Sequence, residues 1–468
     1  MKQEIQAKRI MFAACRSHSG KTTVTLAALE ALKRRGLHPL SYKCGPDYID
    51  PMFHETVLGI SGRNLDTYFA GTDGVREILA GCGDDYAVIE GAMGIYDGAR
   101  LDGIEGSAYE TAQVTMTPVI LIVDVTGVGR TVLSMLRGVL LDDTSHLIRG
   151  ILLNKIGEGY YNRLKPVLEQ KLEEWGTGIR LLGYLPKRPE LSVESRHLGL
   201  KLPGEIESLR AGIKAAAEQM EKSVDMDEMI RIMEAAPSVE IASKSPAELC
   251  SGDGLTLAVA RDEAFCFYYR DNLELFLKQG VRIRYFSPLT DEEVPEDADG
   301  ILLGGGYPEL YLKELSENGS MLESVRNTIE RGIPSLAECG GFMYLHREVR
   351  DPEGASYQMA GVIDGACSYT GHLVRFGYMD IRSVEDASGD ELYRSLEGMK
   401  GHEFHYYDST SAGTACVAGK PYRPDTWSCI HAEQNGIWGF PHFYYGSDPR
   451  FVTAFIRRMK EVADGKLT

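Results

Sequence analysis

No CxxC pair occurs among the nine cysteines of this 468-residue chain, and an odd number scattered so widely offers no disulfide framework. Reduced thiols, and with them a cytoplasmic setting, are the expectation. Basic residues are also in short supply: 50 Lys and Arg face 68 Asp and Glu, a net charge of -18. A long nucleic-acid surface needs a basic stripe that this balance supplies only locally, so nucleic acid is not expected as a partner. Long apolar runs are missing too. The opening "MKQEIQAKRIMFAAC" holds one short apolar stretch, too brief to span a membrane and without a secretory cleavage pattern. Repeats and low-complexity tracts are likewise absent.

What is present is an ordinary globular balance, 43% hydrophobic and 25% charged. A chain of this length exceeds one comfortable core, so two or three domains are expected. From Arg9 to Pro186, short runs hydrophobic on both faces alternate with helical patterns: "RIMFAAC", "PLSYKCG", "YAVIEGA", "PVILIVDV", "IRGILLNKI" and "IRLLGYLP". Such runs predict parallel strands covered by helices on each side. Residues 236–254, "APSVEIASKSPAELCSGDG", are small, polar and helix-breaking and read as a linker. A second α/β series follows with "LTLAVA", a helical "AFCFYYRDNLELFLKQG", "VRIRYFSP", "GILLGGGYPEL" and "IPSLAECGGFMYL". The expectation is two tandem α/β domains, residues 1–240 and 254–468.

After the first run comes "CRSHSGKTT", and then Val24, Ala27, Ala28, Ala31 and Leu32 recur at helical spacing before Gly36. Strand, loop and helix in that order suit a phosphate-binding loop. Its backbone N–H groups wrap the phosphates, Lys21 adds a point charge and the Thr22 hydroxyl can ligate Mg²⁺. Cys15 stands where such loops usually begin with glycine, but that position supplies no ligand, so an ordinary backbone there suffices. Ser19, Gly20, Lys21, Thr22 and Thr23 are therefore the candidate nucleotide-binding residues. Carboxylates to hold a metal are sought at neighbouring strand ends. "KCGPDYIDP" offers Asp47 and Asp50, and "VIEGAMGIYDG" offers Glu90 and Asp97. Beside Pro46, Pro51 and Gly98, the aspartates fit equally well as turn formers.

A second chemistry is written in "LAECGGF". Cys339 directly follows an apolar run and precedes two glycines and a helical stretch, the cysteine counterpart of a nucleophile elbow. The N–H after Cys339, with backbone donors from Gly305 and Gly306 of "LGGGYPEL", can face an oxyanion. A helix N-terminus is expected to favour thiolate over thiol. Five histidines compete for the role of base: His372, His402, His405, His431 and His442.

"SGKTT", "KCGPDYIDPMFH", "LDTYF", "EGAMGIYDG", "RHLGL", "FYYRDNLELF", "LGGGYPEL" and "AECGGFMYL" together resemble the cobyrinic acid a,c-diamide synthase family over almost the whole chain. The family's loop carries glycine where this chain has His18. The resemblance implies an N-terminal P-loop parallel sheet, a dethiobiotin-synthetase-like ATPase that activates a carboxylate, and a C-terminal class I glutamine amidotransferase-like, flavodoxin-like domain. It implies Lys21 on the phosphates of ATP, Thr22, Asp47 and Glu90 around Mg²⁺, and Asp97 near the acyl phosphate or a second metal. Asn154, in "LLNKI", would meet the nucleotide base, although a strand-end turn role fits it as well. "IWGFPHFYYGS" resembles the family's terminal motif, which selects His442 as the partner of Cys339. His402 and His405 lie in "GHEFHYYD", which the family shares. Many related amidotransferases orient the histidine with a glutamate two residues on, but here that residue is Tyr444, and the orienting group is not identified. Cys15 is read as a packing residue.

A carboxylate is a poor acyl donor until ATP converts its leaving group to phosphate, and a cysteine glutaminase can release ammonia to attack the product. The reaction implied is ATP- and glutamine-dependent amidation of the a and c acetate side chains of cobyrinic acid. Hydrogenobyrinic acid and nickel sirohydrochlorin are alternatives of the same class, and a partitioning-type P-loop ATPase is a distant one. The expected partners are these small molecules, with no membrane and with a homodimer compatible with the chain.

Overall fold

The computed structural model describes residues 2–188, 203–242, 250–385, 389–433 and 435–466. The "RHLGL" segment lies outside them. The chain divides into two compact units, Met1–Ser243 and Lys244–Thr468.

The first unit is built on seven parallel strands in the order Gly62–Leu65, Pro39–Cys44, Tyr86–Glu90, Lys8–Ala14, Val119–Asp124, Ile148–Asn154 and Arg180–Leu185. Six are the apolar runs of the sequence; the seventh, the short "GRNL", carries no such signal. Both faces of the sheet are buried, each in its own apolar cluster. The helix Lys21–Arg34 buries Val24, Ala27, Ala28, Ala31 and Leu32 as its spacing requires. Leu26 and Leu29 are buried as well, because the helix Pro203–Ser223 packs along it. Each Leu or Val removed from water in this way contributes about 1.5–3 kcal/mol.

The stretch read as a linker begins differently. Val239–Ala242 is a strand, antiparallel to Lys2–Ile5, with Val239 and Ile241 buried. The alternation in "VEIA" outweighs its small, polar surroundings, since pairing satisfies the backbone and buries one face.

The second unit centres on a six-stranded sheet ordered Arg282–Phe286, Thr256–Ala260, Gly300–Leu303, Ser335–Glu338, Gly436–Gly439 and His431–Glu433. All neighbours are parallel except the last pair. The segment "AFCFYYRDNLELFLKQG" is helical only over Arg270–Lys278. Its first part forms the strand Phe265–Phe267, paired with Gly305–Gly306, because Phe-Cys-Phe suits a pleated surface better than a helix. Beyond the parallel sheet lies structure not foreseen in the sequence. Five antiparallel strands run in the order Thr426–Cys429, Cys416–Gly419, Arg375–Val384, Lys400–His405 and His442–Phe443, beside a smaller four-stranded sheet. The final helix, Arg450–Ala463, buries Phe451, Val452, Phe455, Ile456 and Met459.

Candidate active sites

The phosphate loop leaves the central strand Lys8–Ala14 and enters its helix at Gly20, whose φ of 91° is left-handed. A Cβ there would sit 2.3 Å from Asn154 Nδ2, so both conformation and space require glycine. Asn154 donates to Ser19 O at 2.8 Å, and its Oδ1 accepts from Lys155 N at 3.0 Å. Its amide therefore braces the loop rather than standing free. The Ser19 hydroxyl closes the turn by donating to Arg16 O at 2.9 Å. Cys15 has no positive φ and packs against the core below, whereas His18 sits at φ 60°. Residue 18 is thus a second left-handed position in the loop, where histidine is among the non-glycine types that tolerate it. Thr23 lies half-buried in the first turn of the helix.

The strand ends beside the loop gather charge. Thr22 Oγ1 donates to Glu90 Oε1 at 2.7 Å, and Lys43 Nζ contacts the same oxygen at 2.8 Å. Lys43 also lies 2.5 Å from Asp50 and 4.0 Å from Asp47, so three carboxylates surround one ammonium. Burial alone would lower the pKa of Lys43, yet Glu90, Asp50 and Asp47 hold it above the ordinary lysine value. Burial raises Glu90 to about 7 against the pull of Lys43, and burial together with Asp50 raises Asp47. These shifts share an origin: a buried cluster carrying more negative than positive charge stabilises any added cation.

Glu90 Oε2 is buried without a hydrogen-bond partner among the described residues. Among those residues no group of three His, Cys, Asp or Glu side chains forms a metal cage of its own. An orphaned carboxylate oxygen next to a threonine hydroxyl fits Mg²⁺ nonetheless, because that ion takes one or two protein oxygens and completes its shell with phosphate and water.

Lys21 Nζ rests on Met93 O at 2.5 Å. Burial, followed by the charge of Lys43, pulls its pKa down to about 8. Asp97 closes a turn by accepting from Gly94 N at 2.9 Å, and Asp47 Oδ1 accepts from Ile49 N at 2.8 Å at the start of the helix Ile49–Leu58. The turn reading of both aspartates holds in this geometry, while the second oxygen of Asp47 also stands 4.0 Å from Lys43. A groove of about 490 Å³ lined by Arg137, His146, Arg149 and Trp175 lies by the opposite end of the strand Ile148–Asn154 and includes none of these residues.

In the second unit Cys339 occupies the turn between Ser335–Glu338 and the helix Gly340–Leu345 with φ 48° and ψ −101°, a conformation that costs a non-glycine residue about 1–3 kcal/mol. The turn is clamped by Cys339 N donating to Gly439 O at 2.8 Å and Gly341 N to Gly304 O at 2.9 Å. A Cβ at Gly341 would lie 2.1 Å from Leu303 O, which gives the second glycine after the nucleophile its reason. The Gly340 N–H faces the thiol, and Gly306 N lies on the same side of Gly340.

His442 lies over Gly305, where an added Cβ would meet the imidazole at 2.3 Å. The same glycine segment therefore borders both His442 and Gly340, the residue after Cys339. The other histidines are engaged elsewhere. His402 stacks on His442 with ring centroids 5.0 Å apart and bonds the Tyr269 hydroxyl. His405 bonds Glu403 and stacks on Phe440, His431 bonds Glu433, and His372 is exposed in a loop.

The expected thiolate is not favoured here. Burial pushes the Cys339 thiol well up, reinforced by Glu309 and Glu403, against the Gly340 N–H that lowers it. Burial, with His402 and His405 nearby, drives the His442 pKa far below its ordinary value. Thiol and imidazole are both neutral at rest, so the nucleophile is made by proton transfer during attack. Burial raises the Glu338 carboxyl to about 8, against the hydrogen bonds from Tyr445 and the Phe443 N–H that lower it.

Residues 10–200 match the CobQ/CobB/MinD/ParA nucleotide binding domain, and residues 256–439 match the CobB/CobQ-like glutamine amidotransferase domain. The cobyrinate a,c-diamide synthase of Clostridium tetani is 35% identical over 96% of this chain and 100% of its own length. That of Caldanaerobacter subterraneus is 35% identical over 96% of this chain and 97% of its own, and that of Clostridium acetobutylicum 36% over 96% and 100%. The chain belongs to the cobyrinate a,c-diamide synthase family.

Within this family's two-domain plan, a nucleotide-binding unit followed by a glutamine amidotransferase unit, several site residues carry no sequence signal of their own. Lys43 hides among the carboxylates of "KCGPDYIDP", and its role emerges only when Glu90, 47 residues later, is placed opposite it by strand pairing. Lys155 donates to His18 O at 2.7 Å and pairs with Asp124 at 2.9 Å, fastening the loop from a third strand. Glu338 is masked by its neighbour Cys339. Only the sheet shows it 3.9 Å from His442.

Proposed function

We propose that the chain uses ATP, with Mg²⁺, to amidate the a and c acetate carboxylates of cobyrinic acid with ammonia released from glutamine. The observation that carries this reading is the pairing, in one member of the family, of a phosphate loop whose Thr22 meets Glu90 with a strained elbow at Cys339 whose preceding residue, Glu338, stands 3.9 Å from His442. Either site alone fits many reactions; carboxylate activation coupled to nitrogen supply needs both.

In the synthetase unit, a substrate carboxylate oxygen attacks the γ-phosphorus, the bond to ADP breaks, and an acyl phosphate forms. Thr22 and Glu90 would hold Mg²⁺, which would supply positive charge to the phosphate oxygens. Lys21 regains full protonation beside a polyanion and moves from Met93 O to phosphate oxygen. Ammonia then attacks the acyl carbon, phosphate leaves, and the new amide loses a proton. In the glutaminase unit, the Cys339 proton passes to His442 as sulfur bonds the amide carbon. The Gly340 N–H, with Gly306, faces the oxyanion; ammonia departs with the proton from His442, and water cleaves the thioester to glutamate.

Among the described residues no helix is long and apolar enough to cross a membrane. The test is a mass measurement of products from cobyrinic acid, hydrogenobyrinic acid and nickel sirohydrochlorin with ATP, Mg²⁺ and glutamine. Two successive acid-to-amide changes on cobyrinic acid are expected. Preference for another ring reassigns the substrate, and ATP hydrolysis without amidation of any ring rejects the reading in favour of a partitioning-type ATPase.

A further inference from the structure

The position two residues after His442 is filled by Tyr444, whose hydroxyl faces Asp271 at 3.3 Å. A carboxylate nevertheless reaches the imidazole from another direction. Glu338 ends the strand Ser335–Glu338, one residue before the nucleophile, and its register partner Gly439 is the residue whose carbonyl clamps Cys339 N. Its Oε1 accepts from the Tyr445 hydroxyl at 2.8 Å, while Oε2 lies 3.9 Å from His442 Nδ1. Glu338 is 8% exposed and His442 2%. The separation is longer than a hydrogen bond, and catalytic partners are often held this loosely before substrate tightens the site.

A buried carboxylate is expensive, and stability alone gives it no advantage over a neutral group at this position. We propose that Glu338 is the positioning residue for His442. Its Oε2 accepts the Nδ1–H, which leaves the Nε2 lone pair for the Cys339 proton, and in its ionised form it also offsets the imidazolium charge once that proton arrives. No further bond is made or broken by Glu338. The carboxylate thus comes from the residue preceding the nucleophile, on the strand that also carries the elbow. Strand pairing fixes its position, and Tyr445 fixes which oxygen faces the ring. This inference deepens the glutaminase reading and rests on it.

The experiment compares steady-state glutamine hydrolysis by the full-length wild type, Glu338→Gln and Glu338→Asp, with ammonium-driven amidation measured alongside. Wild-type protein that hydrolyses no glutamine defeats the glutaminase reading itself. Given wild-type activity, Glu338→Gln is expected to lower kcat by about 10²–10⁴ with KM for glutamine changed less than about twofold, since removing an orienting carboxylate acts on the transition state. Glu338→Asp should recover about tenfold, and ammonium-driven synthesis should persist in both variants. Full kcat in Glu338→Gln, or a loss confined to KM, overturns the proposal. A measurement on the wild type alone decides the matter even if the variants fail to fold: ¹⁵N spectra of histidine-labelled protein in alkaline buffer, where the carboxyl is ionised, should show His442 protonated on Nδ1. Protonation on Nε2 overturns it.

Discussion

The two sites solve opposite electrostatic problems. Around Lys21 and Lys43 ionisable groups are concentrated, with Asp47, Asp50 and Glu90 packed against one ammonium and one carboxylate oxygen left over. Around Cys339 the groups are kept neutral: burial raises the thiol and the Glu338 carboxyl and depresses the imidazole. Phosphoryl transfer moves a polyanion and is served by fixed charge already in place. Thioester formation moves one proton, and charge that exists only during attack costs nothing at rest. The lesson is that burial does different work in each place, concentrating charge in one site and withholding it in the other.

The sharpest way to separate the sites is Cys339→Ala. It should lower glutamine-driven amidation by about 10⁴ or more, as loss of a covalent nucleophile does, while amidation with high ammonium persists. Retained glutamine hydrolysis in that variant would break the comparison. Glu90→Gln and Asp47→Asn should act on the other side, each lowering turnover by about 10²–10³ with glutamine and with ammonium alike, because the activated acid is needed by both. Normal ammonium-driven rates in either variant would remove that carboxylate from the charged site.

A smaller effect tests the neutral site through pH. Because Glu338 titrates near 8 in the folded protein and near 4.5 when exposed, the native state holds a proton between those values that the unfolded chain has lost. Wild-type stability contributed by this group therefore falls as pH rises from 5 to 8. Glu338→Gln lacks that slope, so its melting temperature relative to wild type should climb over the same range; a constant difference would show that the carboxyl is not buried in its neutral form. The smallest change is expected from Cys15→Ser. With an ordinary backbone and a side chain packed below the loop, Cys15 contributes no ligand, and nucleotide binding measured by calorimetry should stay within about twofold. Abolished binding would place the thiol in the site.

Much of this arrangement was legible because parallel strands covered on both faces read as continuous apolar runs, which is how "YAVIEGA" put Glu90 at a strand end beside the loop. The elbow was legible for a similar reason: an apolar run, Cys339 and two glycines occur in unbroken order. What escaped were contacts made by sheet closure. Lys43 meets Glu90, and Glu338 meets His442 across 104 positions, through register that no local pattern encodes. The resting ionisation of Cys339 was misjudged because desolvation depends on everything packed around the thiol, while the short helix ahead of it was all the sequence displayed. The histidine at position 18 looked like a departure from a glycine pattern; its φ of 60° explains both the pattern and why this residue type is tolerated.

The small pairing of Lys2–Ile5 with Val239–Ala242 ties the outermost segments of the first unit to each other. A domain whose two chain ends meet has a single doorway, and whatever follows can be attached there without rethreading any strand inside. Such closure makes this unit suited to recombination as a cassette, its own strands and phosphate loop untouched by what is joined to it.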